Sequence, residues 1–181
     1  IGLVDDDVVS ESNLQRQVLY TEDEIGLSKA LQAQKRLQAL NHDIRINAYP
    51  TRLTKENAAS LIANYDIVVD GCDNFTTRYI INDACAHWGR PYVYGAILAF
   101  EGQVSVFNYQ GGPDYRTLYP DEEEMLAMPA PFKGVLGVTP GVIGCMEANE
   151  VMKIIGGYGE VLSGKLWQID LRTMESYTIM L

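Results

Sequence analysis

Apolar residues fall in short blocks whose period changes along the chain. Ile1 to Asp5 is a brief apolar run that closes in the acids Asp5, Asp6 and Asp7, the pattern of a buried strand. From Ser28 to Asn41, Ala30, Ala33, Leu37 and Leu40 recur at helical spacing, with Ser28 as the expected N-cap. Ile44, Ile46 and Ala48 then alternate with Arg45 and Asn47, predicting a half-buried strand. Thr54 opens a short helix with Ala58, Leu61, Ile62 and Tyr65 on one face. The β-branched run from Asp66 to Asp70, ahead of Gly71, predicts a central parallel strand. Thr76 to Trp88 reads as a helix with Thr77, Ile81, Ala84 and Trp88 on one side, stopped by Gly89 and Pro91. Pro91 to Ala96 is the next strand.

Strands and helices alternate through this part, which predicts an α/β fold with a mainly parallel sheet and helices on both faces. Further on, residues 102–109 alternate in the manner of an antiparallel strand. Residues 111–134 are loop-rich, with Pro113, Pro120, Pro129 and Pro131, and the acids Asp121 to Glu124 read as a solvated loop. A long helix is expected from Gly141 to Ile155, ending at Gly156 and Gly157. Lys165 to Asp170 and Ser176 to Leu181 form the antiparallel C-terminal strands, a hairpin turning around Arg172 and Thr173. Trp167 and Tyr177 on these strands read as core or interface aromatics.

Composition narrows the function classes. The 181 residues suit one domain, or one with a small appendage. Fourteen basic against 24 acidic side chains give a formal charge of −10, which argues against a nucleic-acid partner held by phosphate neutralisation. A polyphosphate site must then be a local basic pocket. Cys72, Cys85 and Cys145 form no C-x-x-C pair and no disulfide framework, so a reducing cytoplasm is expected. Cys85 and Cys145 read as core residues, Cys72 as a neighbour of a functional acid, and His42 and His87 as surface or capping residues. No apolar run approaches the roughly 20 residues of a membrane span. The opening run is too short for a signal peptide. Without an initiator Met, the chain reads as opening in the middle of a fold.

In parallel sheets, ligands sit beyond the carboxyl ends of the strands. Asp5 closes the first strand, where a carboxylate accepts bonds from ribose hydroxyls or is simply a turn acid. Asp73 and Asn74 follow the strand ending at Asp70. Asp73 stands where a Mg²⁺ ligand would, and either residue suits an N-cap. Between these ends runs a polar segment from Ser10 to Gln17 that carries Arg16, a fork for phosphate. Lys29 adds a cation at a helix start. Taken together, Asp5, Arg16, Lys29 and Asp73 outline a nucleoside triphosphate site with its own metal.

The run of Val4, Asp5, Asp7, Val9 and Ser12-Asn13-Leu14-Gln15-Arg16-Gln17, then Gly26 and Lys29, then Asp70, Asp73 and Asn74, resembles the ThiF/MoeB/HesA family, bacterial relatives of ubiquitin-activating enzymes. The resemblance continues through residues 101–104 and 141–144 and covers essentially the whole chain. It implies a Rossmann-like fold, a single nucleotide-binding domain over 1–181, and a homodimer. It also implies adenylation, with Mg-ATP, of the C-terminal Gly-Gly carboxylate of a small ubiquitin-like sulfur carrier, releasing pyrophosphate. Carried over by position, Asp5 would hold the ribose. Ser12, Asn13, Gln15 and Arg16 would line the ATP phosphates and Lys29 would neutralise them. Asp73 would serve Mg²⁺ and the reacting centre, with Asn74 beside it.

Three departures accompany the resemblance. The family's glycine-rich nucleotide loop belongs before the strand that opens this chain, so the domain reads as N-terminally incomplete. Asp114 and Thr117 stand where many members place the first of two zinc-binding C-x-x-C pairs, and no zinc site is expected. Residues 120–134 hold no cysteine, so no catalytic thiol is expected there. The alternatives are a non-catalytic scaffold or docking subunit, or activation of a different carboxylate target. A nicotinamide-dependent dehydrogenase lacks support, since nothing here offers its substrate a proton donor.

Overall fold

The computed structural model describes residues 1–129 and 134–181 and divides into two units, Ile1–Thr54 and Lys55–Leu181. The expectation of a loop over 111–134 lies in part outside the described residues.

In the first unit, β1 (Gly2–Val4) pairs in parallel with β2 (Asn47–Tyr49), and Leu3 sits opposite Ala48. α1 (Lys29–Leu40) packs against both strands. Its buried residues are Lys29, Ala30 and Ala33, while Leu40 is 82% exposed. Ser28 occupies the N-cap position, yet its hydroxyl makes no capping bond. Between β1 and α1 the chain makes two short 3-10 turns, Glu11–Asn13 and Glu22–Glu24, which periodicity could not announce.

The second unit holds a five-stranded sheet in sequential order: β3 (Val68–Val69), β4 (Tyr92–Leu98), β5 (Glu101–Phe107), β6 (Lys165–Asp170) and β7 (Glu175–Met180). β3 and β4 are parallel and the remaining pairs antiparallel. The α/β class stands, and the mainly parallel sheet is corrected: among the described residues the first unit's pair β1–β2 is parallel, and in the second unit's sheet β3–β4 is parallel while the other three pairs are antiparallel. Connection length explains two of the antiparallel pairs: two residues join β4 to β5 and four join β6 to β7, whereas a parallel return needs a crossover of a dozen residues or more. β6 returns antiparallel to β5 after the longer segment 108–164, whose length alone sets no direction. The expected hairpin around Arg172 is present, with Arg172 forking onto Asp170 and reaching Glu101 at 3.1 Å.

Helices cover both faces of the second unit's sheet at β4 and β5, while β7 is exposed along its length. α6 (Val138–Gly156) lies on β4 and β5, with the buried stripe Thr139, Ile143, Glu147 and Glu150. It begins three residues before the expected start, because Pro140 in a first turn costs no hydrogen bond. A side chain at Gly95 would overlap the Glu147 carboxyl, and one at Gly102 would overlap Ile143. These two glycines let the helix sit close to the sheet. Cys145, expected in the core, is exposed because it falls off this stripe.

The opposite face carries α3 (Phe75–Trp88), which packs on α2 (Lys55–Ile62), and the short α4 (Tyr115–Leu118) and α5 (Glu122–Ala127). Tyr79, Tyr92, Tyr94, Phe107 and Tyr115 form a buried aromatic cluster with ring centroids 5.2–6.3 Å apart. Trp88, expected on the buried side of α3, is 45% exposed and donates its indole N–H to the Ala59 carbonyl at 2.8 Å. The acids expected in a loop form a helix start instead: Asp121 accepts from the Glu124 amide at 2.9 Å, and Glu122 to Glu124 fill a first turn where the helix dipole favours them. β5 is covered on both faces, so Val104 to Phe107 are all buried. Tyr177 on the edge strand is 57% exposed.

Candidate nucleotide and metal site

In the first unit, the chain leaves β1 at Asp5, whose Oδ1 accepts from the Asp7 amide at 2.8 Å. The carboxylates of Asp5, Asp6 and Asp7 lie within 4.8 Å of one another. Lys29 reaches this cluster from the start of α1, and its Nζ donates to Asp7 Oδ2 at 2.8 Å. Lys29 is 7% exposed although it opens a helix. A buried ammonium needs a partner, and Asp7 supplies it. The structure therefore brings Asp5, Asp7 and Lys29 together.

The polar segment is built on its own backbone. Asn13 Oδ1 accepts from the Ser10 amide at 3.2 Å, and the Arg16 and Gln17 amides both donate to the Asn13 carbonyl. Ser10 and Ser12 share a hydroxyl bond of 3.0 Å. Arg16 Nη1 donates to the Ser12 carbonyl at 3.0 Å, which curls the side chain over the turn. Gln15 is exposed. Ser12, Asn13, Gln15 and Arg16 thus belong to one compact turn. Tyr20 borders α1 and donates its hydroxyl to the Lys29 carbonyl at 3.3 Å. Burial, with Asp5 and Glu24 nearby, pushes that phenol up to about 12.

In the second unit, the turn from Asp70 to Asn74 joins β3 to α3. Asn74 is the N-cap of α3, its Oδ1 accepting from the Thr77 amide at 2.8 Å. The two readings of Asp73 and Asn74 are thereby divided: Asn74 caps, and Asp73 remains exposed. Among the described residues, Asp73 forms no ion pair, and its Oδ1 accepts from the Asn74 side-chain amide at 3.5 Å. An exposed carboxylate without a counter-charge fits the oxygen-ligand chemistry of Mg²⁺.

Behind this turn lies a buried charge network that residue order does not announce. Asp70 Oδ2 accepts from Arg78 Nε at 2.9 Å and from the Tyr92 hydroxyl at 2.9 Å. Asp70 Oδ1 accepts from the Cys72 amide at 2.8 Å and from its thiol at 2.9 Å. Arg78 Nη2 donates to the carbonyls of Cys72 at 2.8 Å and Gly95 at 3.3 Å. Its guanidinium also stands over the Tyr94 ring, 5.4 Å from the centroid. Burial opposes the Arg78 charge, but Asp70 outweighs it and holds the guanidinium firmly ionised. Burial, reinforced by Asp70, raises the Cys72 thiol far above the ordinary range, so it stays protonated. Glu147 approaches from α6. Burial, reinforced by Asp70, pushes its carboxyl up to about 9, and its Oε1 has no partner among the described residues. The available signal was an arginine on the apolar side of a helix, since such a residue is rarely buried unless paired.

Where the resemblance places a C-x-x-C pair, Asp114 caps α4. Its Oδ1 accepts from both the amide and the hydroxyl of Thr117 at 3.1 Å.

The ThiF family profile matches residues 1–181. The chain belongs to the ThiF family. The sulfur carrier protein adenylyltransferase of Thermus thermophilus is 49% identical over 176 residues, covering 94% of this chain and 65% of that protein. A probable molybdopterin-synthase adenylyltransferase of Porphyra purpurea is 47% identical, covering 96% of this chain and 46% of its own length. The chain thus spans about half to two thirds of the length of these ThiF relatives. Among solved structures, E. coli MccB with ATP superposes with a TM-score of 0.79 at 23% identity, over 99% of this chain and 55% of that one. MccB in complex with N-formylated MccA gives 0.82 at 20% identity, over 99% and 57%. These likenesses establish the Rossmann-like fold of the ThiF family.

Proposed function

We propose that residues 1–181 are the nucleotide-binding domain of an adenylyltransferase that activates the C-terminal Gly-Gly carboxylate of a small ubiquitin-like sulfur carrier. The observation that carries this reading is the 49% identity, over 94% of the chain, to a protein named as a sulfur carrier protein adenylyltransferase. A homodimer in the cytoplasm completes the proposal.

The chemistry asks little covalent work of the protein. A carrier carboxylate, already ionised at neutral pH, attacks the α-phosphorus of ATP. A new carboxyl O–P bond forms, the bond to the bridging oxygen breaks, and pyrophosphate leaves with that electron pair. The reaction brings anions together, so positioning and cationic stabilisation carry it. In this reading Arg16 holds phosphate oxygens, with Ser12, Asn13 and Gln15 lining their path. Lys29 offsets phosphate charge while remaining paired to Asp7. Asp5 accepts from the ribose, and Asn74 stands beside Asp73. Mg²⁺, held through Asp73, would supply charge neutralisation at the phosphates.

The test is ATP–pyrophosphate exchange by the full-length protein with a carrier ending in Gly-Gly. Exchange should depend on that carrier, and Asp73→Ala should lower it by about two orders of magnitude or more. A wild-type protein that binds the carrier without exchanging pyrophosphate would support a docking subunit instead.

A further inference from the structure

We propose that Arg78 is the positioning residue for Asp73, a buried guanidinium that ties the turn between β3 and α3 to the sheet and so fixes where the Asp73 carboxylate stands. This rests on the reading that Asp73 serves the metal. Arg78 joins two pieces of chain, holding the turn at both Asp70 and Cys72 and tying it to the neighbouring strand at Gly95. Cys72 is held on three sides, since its amide and thiol reach Asp70 while its carbonyl accepts from Arg78. Asn74, on the far side of Asp73, is fixed by its bond to the Thr77 amide. Asp73 is thus an exposed residue between two pinned neighbours, and its own side chain takes no part in the pinning beyond a long contact to Asn74.

Stability alone does not account for this arrangement, because buried ion pairs are commonly no better than well-packed apolar side chains of similar volume. What an arginine adds is geometry. Its planar fork meets a carboxylate and two carbonyls at once, which a lysine ammonium on a flexible stem cannot reproduce. A carboxylate that must meet a metal beside phosphate oxygens needs such placement, since a shift of about 1 Å costs on the order of 10²-fold in rate.

Two full-length variants test this. Arg78→Lys keeps a positive charge beside Asp70 but loses the fork, and Asp70→Asn with Arg78→Gln keeps a neutral hydrogen-bonding pair. In Arg78→Lys the turnover of pyrophosphate exchange should fall about 10²-fold with KM for ATP nearly unchanged. Half-saturating Mg²⁺ should rise about fivefold or more, by the same misplacement of the carboxylate. Independently of activity, native-state hydrogen exchange at the Cys72 and Thr77 amides should accelerate about tenfold while amides in the middle of α3 keep their protection. A folded variant with turnover, Mg²⁺ dependence and local exchange all close to wild type overturns the proposal. So does loss of protection throughout the second unit in both variants, which would make Arg78 a packing residue only. If wild type itself shows no pyrophosphate exchange, the functional reading fails, while exchange at Cys72 and Thr77 still reports whether Arg78 holds the turn.

Discussion

In Ile1–Thr54 the segment from Ser10 to Gln17 is held by its own backbone, through amides that bond to the Asn13 carbonyl and an arginine curled onto the Ser12 carbonyl. In Lys55–Leu181 the turn bearing Asp73 is held from beneath, by Asp70 and Arg78 inside the fold and by Tyr92 on the next strand. The first arrangement is local and wet, the second long-range and dry. The contrast teaches where damage should appear. A local turn tolerates loss of a side chain that its backbone does not need. A buried charge network fails when one partner goes, because the other is left in a medium that cannot solvate it.

The largest effect expected from this contrast is at Asp70. Asp70→Ala strands the Arg78 guanidinium and the Tyr92 hydroxyl, and should destabilise the second unit by about 3–5 kcal/mol, read as a lowered denaturant midpoint. A loss below about 1 kcal/mol would mean water replaces the carboxylate and the network is not dry.

Glu147 comes next, and its sign is opposite. The fold keeps this carboxyl protonated up to about pH 9, while an ordinary carboxyl releases its proton near 4.5. Between those values the native state binds more protons than the unfolded chain. Stability due to this group is therefore full below about pH 4.5 and falls as pH rises towards 9. Glu147→Gln, neutral and similar in shape, should be more stable than wild type at pH 8 by on the order of 2 kcal/mol. It should also show a flatter pH dependence. Unfolding curves at pH 5 and pH 8 decide this, and parallel slopes for both proteins would refute a buried neutral acid.

A smaller loss is expected at Asp114, which caps α4 and accepts from the Asn82 amide at 3.4 Å. Asp114→Ala should cost about 1–2 kcal/mol, measured by thermal unfolding. The smallest effect on stability belongs to Arg16. Arg16→Ala should shift unfolding by no more than about 0.5 kcal/mol yet abolish most pyrophosphate exchange. An Arg16 variant that unfolds easily would erase the contrast between the two regions.

Much of this was legible in residue order. The bounds of α1, α3 and β6 follow from apolar period and from stops such as Gly89, which sits at φ +60° as the C-cap of α3. Asp5 just past β1, Lys29 at the start of α1 and Asn74 at the N-cap of α3 could be placed from residue order, because strand ends and helix starts are local features. Less visible were the two 3-10 turns, the helix start at Asp121 and the exposure of Cys145. Each depends on hydrogen bonds or on a packing face that hydropathy does not encode.

What the sequence determined by itself is the set of elements and the polar residues at their ends, since periodicity, caps and turn residues act over a few positions and need no partner from elsewhere. Only the tertiary structure decided that Arg78 is buried on Asp70, that Gly95 makes room for Glu147, and that Lys29 belongs to Asp7. Each of these is fixed by a partner distant in the chain. Burial is set by what lands on top of a residue, and the charge a buried group keeps depends on that neighbour.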